Sequence, residues 1–188
     1  MDNNRSDDAL RWKWLSGNIV RKDAWVDLRE NTYLLPNGME IAPYYTTRNR
    51  HFTVIVAENE DGDYICVRQY RPGTETVTTE FPAGAMEAGE EPLAAAKREL
   101  SEETGCTAAR WTFLGRIAPN PTCADNYAWL YFAEGCRKTE ERHLDASECM
   151  ETVIIPAEEM QQMMLDGRII QAVHVAAWFL MQAKRSGK

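Results

Sequence analysis

The chain contains no apolar run of the roughly 18 residues that a membrane-spanning helix requires, so no membrane partner is expected. Its first ten residues, MDNNRSDDAL, have neither the basic start nor the apolar core of a secretory signal, which predicts a cytoplasmic location. Its 21 lysines and arginines do not balance its 29 aspartates and glutamates, and the net charge is −8. Such an acidic protein lacks the positive surface that binds a nucleic-acid backbone, so no nucleic-acid partner is expected.

Cysteine and histidine are too few and too scattered to predict a zinc site. The five cysteines are odd in number and form no CxxC pair, which favours reduced thiols over a disulfide framework. The three histidines, His51, His143 and His174, lie far apart, and we expect them to be surface or packing residues. Any bound metal ion would then take oxygen ligands, which selects hard cations such as Mg²⁺ or Mn²⁺.

The first half of the chain has the pattern of antiparallel β-structure. Two strand-like stretches flank Pro36-Asn37-Gly38, a turn sequence in which asparagine and glycine accept positive φ. A second predicted hairpin joins FTVIVA to YICVRQYR through the acidic turn ENEDGD, and TETVTTEF is again strand-like.

Helices are predicted after these strands. GEEPLAAAKRELSEETG predicts a helix that begins near Pro92 and ends at Gly105. Three more predicted strands follow, WTFLGRIA, YAWLYFAEG and TVIIPA, and two helices, AEEMQQMMLDG and QAVHVAAWFLMQAK, end the chain. One helix among the strands and two at the end predict an α+β fold, with a mixed sheet between helices.

Three carboxylates, Glu99, Glu102 and Glu103, share one face of the predicted central helix. They lie near its C-terminus, where the helix dipole is already negative. One interpretation is a solvated face with an Arg98–Glu102 pair, which would contribute a few tenths of a kcal/mol. The other is a bound divalent cation, which would turn the repulsion among the carboxylates into a ligand set.

Residues 84–106, GAMEAGEEPLAAAKRELSEETGC, resemble the signature of the Nudix hydrolases. That signature is glycine, five residues, glutamate, seven residues, Arg-Glu, an aliphatic residue, any residue, Glu-Glu, any residue, glycine and an aliphatic residue. Its fixed positions are matched here by Gly84, Glu90, Arg98, Glu99, Glu102, Glu103 and Gly105. Cys106 replaces the last aliphatic residue, and a buried cysteine behaves as a small apolar side chain. The resemblance implies a Nudix fold, an α/β/α sandwich, and Mg²⁺-dependent hydrolysis of a diphosphate bond, with Mn²⁺ as a possible substitute.

The resemblance also implies roles for individual residues. The metal ligands would be the carboxylates of Glu99, Glu102 and Glu103 and the carbonyl of Ala83. Arg98 would orient a glutamate rather than touch the substrate, and we count it with Glu102 among the catalytic residues.

In this family the general base is commonly a glutamate on a mobile loop after the signature. The segment LDASECMETVII occupies that place, which makes Glu148 the candidate base and Glu151 its alternative.

The stretch RQYRPGTETVTTEFPAG resembles ADP-ribose and related nucleotide-sugar pyrophosphatases. It implies that Arg71 contacts the diphosphate and that Glu80 contacts the substrate or a supporting arginine. A proline downstream of the signature is typical of this group, and Pro121 takes that place, although the glycine that usually follows it is absent from PNPTCADN.

The expected substrate is ADP-ribose or a related nucleoside diphosphate sugar, which would yield a nucleoside monophosphate and a sugar phosphate. Two alternatives stay open. The enzyme could act on GDP-mannose or another Nudix substrate, or the domain could bind a nucleotide sugar as a sensor without hydrolysing it.

We divide the chain into an N-terminal antiparallel β subdomain, residues 1–48, and a Nudix hydrolase domain, residues 49–188. In relatives such an N-terminal sheet is exchanged between two subunits, so the resemblance implies a homodimer. Several N-terminal aromatic side chains could form that interface, stack on an adenine or simply pack within the subdomain. These side chains are Trp12, Trp14, Trp25, Tyr33, Tyr44 and Tyr45.

Overall fold

A computed structural model of the chain describes residues 7–144 and 148–187. After a short 3₁₀ helix at Asp7–Leu10, these residues form eleven β-strands and three α-helices. The strands are β1 (Lys13–Lys22), β2 (Asp27–Leu34), β3 (Glu40–Thr47), β4 (Phe52–Asn59), β5 (Tyr64–Arg71), β6 (Thr76–Glu80), β7 (Ala83–Ala85), β8 (Cys106–Thr107), β9 (Arg110–Ile117), β10 (Ala128–Lys138) and β11 (Met150–Ile155). The helices are α1 (Pro92–Thr104), α2 (Ala157–Leu165) and α3 (Ala172–Arg185).

Contacts within the chain define two compact units. The N-terminal unit comprises the described residues up to Asn49 together with Asn120–Asn126. The second unit comprises Arg50–Pro119 and the described residues from Tyr127 onward. The loop at 120–126 falls within the predicted hydrolase domain, whereas its contacts join it to the N-terminal unit. The domain assignment itself stays a prediction.

The N-terminal unit contains a three-stranded antiparallel sheet in the order β1-β2-β3. The turn between β2 and β3 confirms the predicted hairpin, because Gly38 has φ of +83° and Leu35 N–H donates to the carbonyl of Met39. Strand β1 is not predicted from its sequence. Its sequence, KWLSGNIVRK, lacks the alternation that marks a half-buried strand, and all ten of its residues are exposed.

The second unit contains the mixed sheet, with the strand order β11-β5-β4-β10-β8. Strands β6, β7 and β9 pair with β5, β4 and β10, respectively. Strands β4 and β10 are parallel, and the other pairs are antiparallel. The predicted α+β class and the hairpin of β4 and β5 are confirmed.

Helices cover both faces of the mixed sheet. Val54 and Val56 of β4 pack into a cluster with residues of α2 and α3. Ile55 and Ala57, which alternate with them, pack on the opposite face with Leu100 of α1. This arrangement confirms the predicted α/β/α sandwich and explains why β4 carries a continuous apolar run.

No helix among the described residues is long and apolar enough to cross a membrane. All five cysteines lie in the described part of the chain and carry free thiols.

Candidate active site at the C-terminal end of α1

Helix α1 carries the candidate site because its buried face combines apolar and acidic side chains. Pro92 occupies the first turn, and Gly105 ends the helix with φ of +71° while its N–H donates to the carbonyl of Ser101. Glu99 and Glu103 are only 7% and 3% exposed. These two carboxylates therefore do not belong to a solvated helix face.

Arg98 holds three glutamates at once. Its Nε and Nη2 each donate to Glu90 at 3.0 Å, and its Nη1 donates to Glu99 at 2.8 Å and to Glu102 at 2.9 Å. A fifth hydrogen bond runs from Nη2 to the carbonyl of Ala85 at 3.1 Å. The hydrogen bonds with Glu90 raise the pKa of Arg98 and lower the pKa of Glu90. The expected pair with Glu102 is present, within a larger network than the sequence suggests.

Strand β7 lies directly against the buried carboxylates. The N–H of Ala83 donates to Glu103 Oε2 at 3.1 Å. A Cβ atom built on Gly84 would overlap the carboxylate of Glu99. Position 84 therefore requires glycine because a carboxylate occupies the space that a side chain would need. The signature predicts a glycine at position 84, but it does not show that the carboxylate of Glu99 lies where a side chain would be.

Burial makes negative charge costly at these positions. It raises the pKa of Glu103 well above the usual range, and the negative charges of Glu99 and Glu148 raise it further. Burial also raises the pKa of Glu99, although hydrogen bonding to Arg98 opposes this effect. Additional positive charge at this place would thus favour the ionised forms of both carboxylates.

The donor chemistry of this cluster fits a hard divalent cation. Glu99, Glu102 and Glu103 supply carboxylate oxygens, the ligands that Mg²⁺ and Mn²⁺ prefer. Within residues 7–144 and 148–187, no three histidine, cysteine, aspartate or glutamate side chains already converge as a ligand set. Arg98 and the N–H of Ala83 instead occupy oxygens of these carboxylates.

A cavity of about 230 Å³ opens over Glu99 and Glu102 of this cluster, whereas Glu103 is not among its lining residues. Glu148 lines it together with the signature residues Gly84, Arg98, Glu99 and Glu102, and so do Arg50 and His143. Arg50 is not among the residues predicted from the sequence, and His143 is predicted only as a surface or packing residue. Neither has a local sequence signal, because Arg50 precedes β4 and His143 follows β10, and only folding brings them to α1.

The two candidate bases occupy different environments. Glu148 lines the carboxylate cavity, whereas Glu151 lies on β11 and pairs with Arg68 at 2.6 Å. Glu151 lines a separate cavity with Thr104 and Thr152. The geometry therefore favours Glu148 as the residue that can act on a group bound at α1. Residues 145–147 of the same loop lie outside the described residues.

Arg71 and Glu80 form a bidentate ion pair, and Arg71 lines a separate cavity with Thr78 rather than the carboxylate cavity. Arg71 Nε and Nη2 donate to the two carboxylate oxygens of Glu80 at 2.8 and 2.5 Å, and the hydroxyl of Thr78 also donates to Glu80. Burial alone would raise the pKa of Glu80, but the hydrogen bonds from Arg71 and Thr78 outweigh it and lower that pKa. The charge of Glu103 helps to raise the pKa of Arg71, so this arginine lies within electrostatic reach of the carboxylates. Of the two partners expected for Glu80, the structure shows the supporting arginine.

His174 is a packing residue, as expected. It is 1% exposed on α3, and its Nδ1 accepts the N–H of Phe81 at 3.1 Å. Burial lowers the pKa of His174 to about 4, so the imidazole is neutral in the folded protein near pH 7.

Pro121 belongs to the N-terminal unit, where it lines a cavity of about 740 Å³. Trp12, Tyr33 and Tyr44 line the same cavity and meet edge to face, with ring centroids 5.5 to 5.9 Å apart. The hydroxyl of Tyr44 donates to the carbonyl of Thr122 at 2.8 Å. The three rings therefore pack on one another and also leave a surface for a ligand.

Comparison with known proteins agrees with this geometry. Residues 47–178 match the NUDIX domain. The chain is 31% identical over 179 residues to the ADP-ribose pyrophosphatase of Bacillus subtilis (strain 168), which covers 95% of this chain and 96% of that protein. It is also 31% identical over 174 residues to the methanol dehydrogenase activator of Bacillus methanolicus, with 92% and 90% covered. A crystal structure of an ADP compounds hydrolase superimposes with a TM-score of 0.83 at 27% identity, covering 94% of this chain and 95% of that one.

The chain therefore belongs to the Nudix family and is a Nudix hydrolase. Members of this family generally use divalent metal ions.

Proposed function

We propose that this Nudix hydrolase cleaves the diphosphate bond of ADP-ribose or a related nucleoside diphosphate sugar, in a reaction that depends on Mg²⁺. The products would be a nucleoside monophosphate and a sugar phosphate. The observation that carries the proposal is the cavity where Glu148 and Arg98 lie with the carboxylates of α1. The printed name of the Bacillus subtilis relative, which is similar over nearly the whole chain, supports the choice of substrate.

The carboxylates of Glu99, Glu102 and Glu103 would hold the metal, with the carbonyl of Ala83 as a further ligand. Mg²⁺ is the proposed ion, and Mn²⁺ could replace it. A bound divalent ion neutralises diphosphate charge and lowers the pKa of a coordinated water.

The remaining residues would bind the diphosphate, orient the metal ligands and transfer a proton. Glu148 would accept the proton of the attacking water, because its carboxylate faces the same cavity. Arg98 would keep Glu99 and Glu102 in place, since it hydrogen-bonds to both. Arg71, oriented by its bidentate contact with Glu80, would bind the diphosphate.

We propose that the aromatic cavity of the N-terminal unit takes the nucleobase. Trp12, Tyr33 and Tyr44 offer ring surfaces, and stacking on an aromatic ring contributes about 1 to 3 kcal/mol per base. Pro121 lines the same cavity and would contact the same part of the substrate.

We also propose a cytoplasmic homodimer. Free thiols at all five cysteines suit a reducing compartment. Exposed apolar side chains on β1, including Trp14 and Ile19 at 57% and 55%, suit an interface with a second copy.

The test is product analysis after incubation with ADP-ribose, ADP-glucose, GDP-mannose or NADH, each with and without Mg²⁺. We expect AMP from ADP-ribose only when the metal is present, and no product from the Glu103→Gln variant. Cleavage of GDP-mannose alone would support diphosphate hydrolysis but would replace ADP-ribose with GDP-mannose as the substrate. Tight binding of one compound without any cleavage would instead identify a sensor domain.

A further inference from the structure

The loop that carries Glu148 also caps the C-terminus of α1. A helix leaves its last carbonyls without helical partners. Here the N–H of His143 donates to the carbonyl of Glu102 at 2.9 Å, and the hydroxyl of Thr152 donates to the carbonyl of Glu103 at 3.2 Å. The two capped carbonyls belong to two of the signature glutamates. His143, five residues before Glu148, and Thr152 of β11, four residues after it, are therefore both bound to the helix that carries the acidic cluster.

The same helix end holds the beginning of the loop. The carbonyl of Gly105 accepts the N–H groups of Thr139 and Glu140 at 2.9 and 3.2 Å. The hydroxyl of Ser101 donates to the side chain of Glu140. Thr139 and Glu140, the first residues after β10, are therefore bound to the C-terminal end of α1.

Arg142 hydrogen-bonds to the start of β11. Its Nη1 donates to the carbonyl of Met150 at 3.0 Å, which joins the position before His143 to the first residue of β11. Glu148 lies two residues before Met150, so the contact fixes the chain close to the candidate base. A guanidinium bound to a carbonyl is a charge-assisted contact, stronger than a bond between neutral groups.

We infer that Arg142 is a positioning residue, which holds Glu148 over the carboxylates of α1 by fixing the carbonyl of Met150, two residues beyond Glu148. Arg142 lines the separate cavity that contains Thr152 and Glu151 rather than the carboxylate cavity, so it acts through the loop. The inference rests on the proposed role of Glu148 as the general base. A displacement of about 1 Å in a reacting group can cost a hundredfold in rate, so a loop contact of this kind can control turnover.

The first experiment measures kcat and KM for ADP-ribose with Mg²⁺ in Arg142→Gln, Arg142→Lys and Arg137→Gln. We expect Arg142→Gln to lower kcat by about 10- to 100-fold, with KM within about twofold of the wild type. Lysine can still donate to the carbonyl of Met150, so Arg142→Lys should recover part of the loss. Arg137 is an exposed arginine on β10, and Arg137→Gln should keep wild-type kinetics. Wild-type kcat in Arg142→Gln would overturn the inference.

A double-mutant comparison separates this inference from the proposed function. If Arg142 acts through Glu148, adding Arg142→Gln to Glu148→Gln should cause no further loss of kcat. An equal loss in both backgrounds would show a general structural effect and overturn the positioning role. Wild-type kcat in Glu148→Gln alone would instead overturn the assignment of the base, and the positioning role with it.

A second readout needs no substrate. Amide hydrogen exchange should be faster in peptides covering residues 139–152 of Arg142→Gln than in the same peptides of Arg137→Gln. The N–H of His143 is the most informative amide, because it bonds to the helix. Unchanged exchange in this segment would overturn the inference even if neither protein hydrolysed ADP-ribose.

Discussion

The two sheets of this protein place apolar side chains in opposite environments. In the mixed sheet, residues 54–57 of β4 have no exposed surface, because α1 covers one face and α2 and α3 cover the other. In the three-stranded sheet, every residue of β1 is exposed, including the apolar side chains of Leu15, Ile19 and Val20.

This difference indicates how function is distributed between the sheets. A strand packed on both faces has little freedom to move, so β4 and its partner β7 form a rigid frame against which α1 presents its carboxylates. An exposed sheet with apolar side chains is suited to ligands and partners. Changes in the mixed-sheet unit should therefore alter kcat or folding stability, whereas changes in the three-stranded sheet should alter KM or assembly.

The largest expected effect comes from Gly84→Ala. The added Cβ would overlap the carboxylate of Glu99, and moving that group should lower kcat by about 100-fold. Gly73→Ala is the matched control, because a Cβ there meets no described atom within 4 Å. Steady-state kinetics on ADP-ribose would measure both variants. Equal activity of the two would show that Glu99 need not remain against β7.

The next effect concerns stability and the buried imidazole of His174. The pKa of His174 is about 4 in the folded protein, compared with 6.5 for an ordinary histidine in the unfolded chain. Between pH 4 and pH 6.5, the unfolded chain therefore binds a proton at this histidine that the folded protein does not bind. The contribution of His174 to the free energy of unfolding is fully present above pH 6.5 and decreases as the pH falls toward 4. At 1.36 kcal/mol per pKa unit, the loss at pH 5 relative to pH 7 is about 2 kcal/mol.

His174→Gln tests this linkage, because glutamine can still accept the N–H of Phe81. Urea unfolding at pH 5 and pH 7 should show a smaller pH dependence in the variant than in the wild type. Glu99 and Glu103 are present in both proteins, so the difference between the two reports His174 together with its electrostatic partner Glu80. Identical pH dependence would mean that the imidazole can take a proton inside the fold.

A smaller effect is expected in the N-terminal unit. Trp12→Ala should raise KM for ADP-ribose about tenfold through the loss of stacking, with kcat within about twofold. Trp25→Ala is the control, because Trp25 is 88% exposed and does not line the cavity. A loss of kcat in Trp12→Ala with KM unchanged would contradict the expectation that changes in the three-stranded sheet alter KM rather than kcat.

The smallest effect is expected on assembly. Ile19→Asp should weaken a dimer formed through β1, raising its dissociation constant about fivefold, as sedimentation velocity would measure. Asn18→Asp adds the same charge on the other face of the strand and should leave the dissociation constant of the dimer unchanged. A wild-type protein that sediments as a monomer at micromolar concentration would contradict the proposed homodimer.

Much of the fold could be predicted because its signals are local. The hairpin at Gly38 and the helix ending at Gly105 depend on φ angles that glycine adopts without strain. Strand β1 could not be predicted, because an exposed edge strand places no demand on the pattern of apolar residues.

The candidate site divides in the same way. Helical periodicity alone predicts that Glu99, Glu102 and Glu103 share a face, since residues three and four apart are neighbours on any helix. The same periodicity cannot show that two of them are buried, because burial depends on the strand that packs there.

The sequence by itself determined the family signature, the acidic face of α1 and the oxygen character of any metal site. Tertiary structure alone decided that Glu148 rather than Glu151 faces that site, that Glu80 binds Arg71 and that Pro121 belongs to the N-terminal unit. The physical reason is the range of the interactions. Backbone angles and helical spacing act over a few residues, whereas these contacts join positions whose distance is set only when strands pair and helices pack on them.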